Sequence, residues 1–252
     1  MKRFIGIIQF LTRIPIPIDV GFDEEFHKST RYFPLVGLIL GLCYYLIGVV
    51  SRIFFEDYIV AVLILLGTVV LTGGLHLDGV GDTFDGLYSY RDKDRILEIM
   101  KDSRLGTNAL LSILFLILLK LGFLVSLLAQ DKLWVVIIMP VLARTFQVVA
   151  CYKGKTPRTQ GMGNIFIGKV SNISLGIALG LAAGLTIGVV LIFNPFSWQL
   201  ILKVALAVGV VALALKLFER SVYKKIDGIT GDILGCICEM AELGICIVMY
   251  FL

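Results

Sequence analysis

The chain has 252 residues, 58% of them hydrophobic and only 17% charged, with a net charge of +4 and a mean hydropathy of +0.93. Soluble domains average about 45–50% apolar and about 25% charged residues, so this composition excludes an ordinary water-soluble globule. So slight a positive excess gives no footing for nucleic acid. The expectation is an all-α polytopic bundle forming one integral membrane domain over residues 1–252.

In chain order, "FIGIIQFL" (4–11) is too short to span and runs into "TRIPIPID" (12–19), whose two prolines interrupt a helix; it reads as an interfacial or re-entrant piece. No short apolar segment with a small-residue cleavage site precedes the first long apolar run, so no removable signal peptide is expected. Windows of about 19 residues then predict seven spanning helices near 33–51, 58–74, 107–129, 133–151, 173–193, 198–218 and 233–252. Lys and Arg alternate between the loops. The N-terminal segment, 75–106, 152–172 and 219–232 are rich in them, whereas the intervening loops carry only Arg52, Lys132 and none. The positive-inside rule places the N-terminus and the charged loops in the cytoplasm. Cys43, Cys151, Cys236, Cys238 and Cys246 lie mostly inside apolar runs and read as packing residues.

Four constellations can carry chemistry. In "GGLHLDGVGDTFDG" (73–86), Asp78, Asp82 and Asp85 recur at i, i+4 and i+7, one face of a helix, among five glycines. Three such carboxylates repel one another unless a cation joins them, and hard oxygen ligands suit Mg²⁺. His76 in the same stretch reads as a partner to the ligands, a phosphate contact or a base. In "RILEIMKDSRLGTNALL" (95–111), Lys101 and Arg104 suit a diphosphate, with Asp102, Ser103, Thr107 and Asn108 beside them; a positive-inside anchor is the plainer alternative. Residues 151–171 form a loop with Lys153, Lys155 and Arg158. In the last stretch, Asp232, Glu239 and Glu242 are spaced i, i+7 and i+10, the last two inside an apolar helix. Intramembrane carboxylates are functional candidates by default. The alternative is a structural pairing with Lys120, Arg144, Lys203 or Lys216. Elsewhere the chain does not scatter charges at midspan as a transporter would, and no inverted repeat is visible.

"FLTRIPIP", "RYFPLVGLILG", "GGLHLDGVGDTFDG", "IMKDSRLGTNA" and "GITGDILG" followed by two glutamates occur in an order that resembles the cobalamin 5′-phosphate synthase family over essentially the whole chain. The H-x-D-G-x-x-D-x-x-D-G core followed by K-D-S-R-x-G-T carries most of the likeness, and Gly81 departs from the alanine expected there. The resemblance implies a membrane enzyme that joins adenosylcobinamide-GDP to α-ribazole or its 5′-phosphate with release of GMP, using Mg²⁺. It implies Asp78, Asp82 and Asp85 on the metal, one of them or His76 as base, and Lys101 and Arg104 on the phosphates. Asp102, Ser103, Asn108 and Arg158 are further substrate contacts in this reading, and Asp232, Glu239 and Glu242 either complete a metal site or bind the base or the corrin amides. Its partners are the two substrates and the bilayer of the cytoplasmic membrane, with other cobalamin-assembly enzymes and a second copy of the chain as further candidates, and no nucleic acid. D-G-x-x-D-x-x-D-G also resembles, more distantly, the motif of CDP-alcohol phosphotransferases. That lipid head-group chemistry is the runner-up, and an ion-coupled transporter using Glu239 and Glu242 is the rival from another class.

Overall fold

A computed structural model describes residues 2–21 and 23–252. It is all-helical among those residues, and every predicted span has a helix. α1 is Lys2–Leu11, followed by an irregular stretch and a 3-10 turn at Phe26–Tyr32 that runs into α2, Phe33–Ser51. α3 is Asp57–Thr72, α4 Leu75–Leu87, α5 Lys93–Ile99, α6 Thr107–Ala129 and α7 Val135–Cys151. α8 is Asn172–Phe193, α9 Trp198–Ile226 and α10 Gly231–Tyr250. Among the described residues five segments are long and apolar enough to cross a membrane, six if the bent α3–α4 pair is counted as one span. The remaining predicted span, 133–151, is α7, a shorter apolar helix of 17 residues. All of it except Phe146 and Val149 is buried in protein. A helix apolar on every side belongs in the interior, and α7 with α10 forms that interior.

α6 and α9 face outward instead. Leu110, Leu114 and Leu118 on α6, and Leu202, Leu206, Val210, Leu213 and Leu217 on α9, form exposed apolar stripes at helical spacing, as a lipid-facing surface requires. α9 has 29 residues. At about 1.5 Å per residue it outruns a hydrocarbon core of about 30 Å, so its charged end from Glu219 to Lys225 projects beyond the apolar part. The two ends of the bundle differ. At one, Arg52 pairs with Asp57 and Asp131 and donates to the Leu128 carbonyl. At the other, Lys93 meets Asp227, Arg158 meets Asp232, and Lys225 donates to the carbonyl of Leu87. The charged loops thus collect at a single end.

The interior is not free of charge. Lys120, near the middle of α6, donates to Glu239 at 2.5 Å and to Glu242 at 2.8 Å. Arg144 of α7 pairs with the other oxygen of Glu242. All four side chains are at most 10% exposed. The fold gathers two cations and two anions, remote in sequence, into one group. The structural pairing considered for Glu239 and Glu242 is the arrangement found.

Removing one member of such a group strands an opposite charge, which costs about 3–5 kcal/mol. Lys120→Met should therefore lower the thermal midpoint of the detergent-solubilised protein markedly, and adding Glu239→Gln should recover part of the loss. A Lys120→Met protein that melts like the parent would show the group to be dispensable.

Candidate active site

α4 is positioned by a bend. The axes of α3 and α4 meet at 90°. The corner is Gly73–Gly74, with φ of +66° and +69°, a left-handed pair that residues with a Cβ adopt only under strain. We therefore read α3 as the membrane-spanning arm and α4 as the turned arm, whose C-terminal end meets Lys225 at the charged end of the bundle. α4 then packs flat on α10. A Cβ on Gly79 would lie 2.6 Å from the carbonyl oxygen of Asp232, and one on Gly235 would lie 3.2 Å from the His76 backbone. Both glycines allow the two backbones to touch, which brings the acidic motif against the first turn of α10.

Between these helices, the end of α7 and the loop of residues 158–166 lies a cavity of about 390 Å³. Its polar wall is His76, Asp78, Lys101, Gln147, Arg158 and Asp232, and α1 and α2 contribute an apolar side through Phe10 and Phe33. α1 therefore forms part of the cavity wall.

The polar groups are held in defined ways. Thr230 caps α10 through the backbone N–H of Ile233, leaving Asp232 in the first turn, where the helix dipole favours a carboxylate. Oδ2 of Asp232 accepts from Thr230 at 3.1 Å and from Nη1 of Arg158 at 2.8 Å. The Nε and Nη2 of Arg158 are buried with no protein partner. A guanidinium so placed still offers part of its planar fork to an anion.

The three motif aspartates separate in role. Asp85 accepts from the backbone N–H groups of Gly106 at 2.7 Å and Ala109 at 2.8 Å. It thereby caps α6 from a different helix, satisfying donors that the glycine preceding α6 cannot. Asp78 is exposed on the cavity wall, and Asp82 is half-buried behind it. Burial first, then the charges of Asp232 and Asp78, push the Asp82 carboxyl up to about 7. Among the described residues no three His, Cys, Asp or Glu side chains close into a ready-made metal cage. The donor set nonetheless fits a hard divalent cation that takes its remaining ligands from phosphate and water, because Asp78 and Asp82 repel each other in its absence.

The other expected residues divide clearly. Asp102 and Arg104 bind each other, with the Arg104 side chain 86% exposed, and Arg104 holds the Asp102 carboxyl down to about 2. Ser103 and Asn108 are exposed and absent from the cavity wall. Glu239 and Glu242 belong to the interior ion group. Gln147 on the cavity wall escaped the sequence reading. Its one signal is a lone amide in an apolar helix, one turn after Arg144.

The model of the cobalamin-5-phosphate synthase family matches residues 3–250. The chain belongs to that family. It is 51% identical to the adenosylcobinamide-GDP ribazoletransferase of Clostridioides difficile, across all of this chain and 98% of that one. The enzyme of the same name from Alkaliphilus metalliredigens is 45% identical over 96% of this chain and 92% of its own, and that from Fusobacterium nucleatum 34% over 96% and 95%. No solved structure matches the chain. The acidic stretch of residues 73–86 lies on α4 and the corner before it, and the G-I-T-G-D stretch of residues 228–232 runs into the start of α10.

Two outcomes follow from the geometry. Asp85→Ala should destabilise by about 1–3 kcal/mol, the cost of orphaned donors, and hydrogen exchange at Gly106 and Ala109 should quicken ahead of the rest of α6. Asp82 binds its proton more tightly in the folded protein than the ordinary value of 3.8, so its contribution is favourable at low pH and is lost as pH rises from about 3.8 through about 7. In EDTA the thermal midpoint should fall across that window, and Asp82→Asn should remove that part of the slope. Identical pH profiles for the two proteins would refute the assignment.

Proposed function

We propose that this chain transfers the phospho-cobinamide group of adenosylcobinamide-GDP to α-ribazole or its 5′-phosphate, releasing GMP, at the cavity between α4 and α10. The observation that carries this reading is Arg158: a guanidinium anchored on Asp232 with two buried N–H groups unpartnered, opposite the carboxylates of α4. A cation fork facing an acidic cluster is the pattern a diphosphate with a divalent ion demands. Relatives named for this reaction, matching over nearly the full length, support the substrate class.

In this reading Arg158 and Lys101 hold the diphosphate oxygens. Asp78 and Asp82 would hold Mg²⁺, which neutralises phosphate charge when bound. The ribazole hydroxyl attacks the phosphorus that carries the cobinamide arm, the bond to the GMP oxygen breaks, and GMP leaves as an anion beside Lys101. Phosphoryl transfer asks mainly for positioning and charge neutralisation, which these groups supply. Asp232 takes the hydroxyl proton on Oδ1, since only Oδ2 is held by Thr230 and Arg158. We give His76 no proton-transfer role in this reading, because its Nε2 is held by the Gln147 amide. Asp85 acts on the loop of residues 101–106 through its cap and contacts no substrate.

The Lys- and Arg-rich end bears the cavity, so the positive-inside rule supports an active site facing the cytoplasm. The transporter reading is less well supported, since Glu239 and Glu242 are matched by Lys120 and Arg144 and do not line the cavity.

The test is GMP release by the purified protein from adenosylcobinamide-GDP and α-ribazole phosphate. We expect turnover with Mg²⁺, none in EDTA, a loss of about a hundredfold or more for Asp82→Asn, and a KM for the nucleotide raised about tenfold or more by Arg158→Met. Absence of turnover from folded parent protein would defeat the proposal.

A further inference from the structure

Two buried polar atoms of residues that line the cavity have no partner in the protein: Nδ1 of His76 and Oε1 of Gln147. Their side chains are 3% and 4% exposed and come from α4 and α7. The hydrogen bonds around them fix which atom donates. The Gln147 amide nitrogen is 3.1 Å from the carbonyl oxygen of Leu234 and 3.3 Å from Nε2 of His76. Reversing that amide would set oxygen against oxygen at Leu234, so the nitrogen stands where it is drawn and has two protons for two acceptors. Nε2 of His76 therefore accepts, and the ring carries its proton on Nδ1. What remains is one unused donor, Nδ1–H, and one unused acceptor, Oε1, on touching side chains that both border the cavity.

Buried polar groups without partners are rare and destabilising, and a pair of opposite character beside a cavity is matched by a ligand that presents the reverse pair. We propose that His76 and Gln147 form a recognition site for an amide group of the substrate, His76 donating to its carbonyl oxygen and Gln147 accepting from its N–H. This rests on the function proposed above and adds which chemical group is read. Two parts of the substrate carry that chemistry: the carboxamide side chains of the corrinoid and the lactam edge of the guanine base. A phosphate or a hydrocarbon face would leave one or both protein atoms unmatched. The sites that hold phosphate and read amide are then separate, with Arg158 and Lys101 performing the first task.

The test uses equilibrium dialysis of the detergent-solubilised protein, so it needs no turnover. Parent protein is titrated with cobinamide, with a corrinoid whose carboxamides are methyl esters, with GMP and with AMP. An ester has no N–H for Gln147, and adenine has no carbonyl for His76. We expect one of the two comparisons to show weakening of about tenfold or more, and Gln147→Met and His76→Phe to weaken the favoured ligand by a similar factor. A loss confined to the corrinoid comparison assigns the carboxamide, and one confined to the nucleotide comparison assigns the lactam. Ester and amide binding alike, together with GMP and AMP binding alike, would overturn the inference even if both variants fail to fold. Parent protein that releases GMP yet shows no such discrimination separates this failure from failure of the proposed reaction.

Discussion

Lys120 and Arg144 sit near the middles of helices that live in or beside hydrocarbon, and each must meet a carboxylate there. Only α10 supplies them. Glu239 and Glu242 lie three residues apart, on one side of that helix, so meeting α6 and α7 at once constrains both its depth and its rotation. The same rotation governs what happens two turns earlier. Asp232 precedes Glu239 by seven residues and so falls on nearly the same face, which points toward the cavity, while Gly235 between them receives the backbone of His76. The interior ion group contributes no wall to the site, yet it sets the register of the helix that does.

α4 completes the arrangement by doing two things with chemically identical residues. Its exposed end presents Asp78, with Asp82 behind, to the cavity. One turn further on, Asp85 holds the start of α6. The loop bearing Lys101 is thereby tied to the helix bearing the other acidic groups, so cationic and anionic walls share one support. The left-handed glycine pair before α4 makes this possible, since a straight continuation of α3 would carry the aspartates away from α10.

The helices were legible because hydropathy over twenty residues is a property of the local sequence. Even α7, which packs in protein more than in lipid, reads as a span for the same reason. The bend at Gly73–Gly74 was less so: glycines suggested close approach, and nothing in spacing specifies a right angle. The acidic motif lies beside the cavity, while the periodicity that placed three aspartates on one face could not separate a carboxylate bound to backbone N–H groups from one on the cavity wall and another half-buried behind it. Glu239 and Glu242 invited a functional reading because their partner Lys120 is 119 residues away, a distance across which no pattern operates. Arg104 shows the converse, since the fork that suits a phosphate equally suits the neighbouring Asp102. Gln147 stayed invisible because a single amide in an apolar run has no periodicity at all.

The order of the ion group along the chain also matters during synthesis. α6 and α7 bring their cations first, and Glu239 follows Lys120 by 119 residues. At about 5–20 residues per second the wait lasts on the order of ten seconds. Through that interval a lysine stands at the middle of a membrane helix at a penalty of about 2.5–3.5 kcal/mol. A ribosome stalled within that interval leaves a chain with two stranded cations and no site. α10 thus neutralises the two cations when it arrives, and a cell that recognises unmatched intramembrane charge has a direct way to tell chains that contain α10 from chains that lack it.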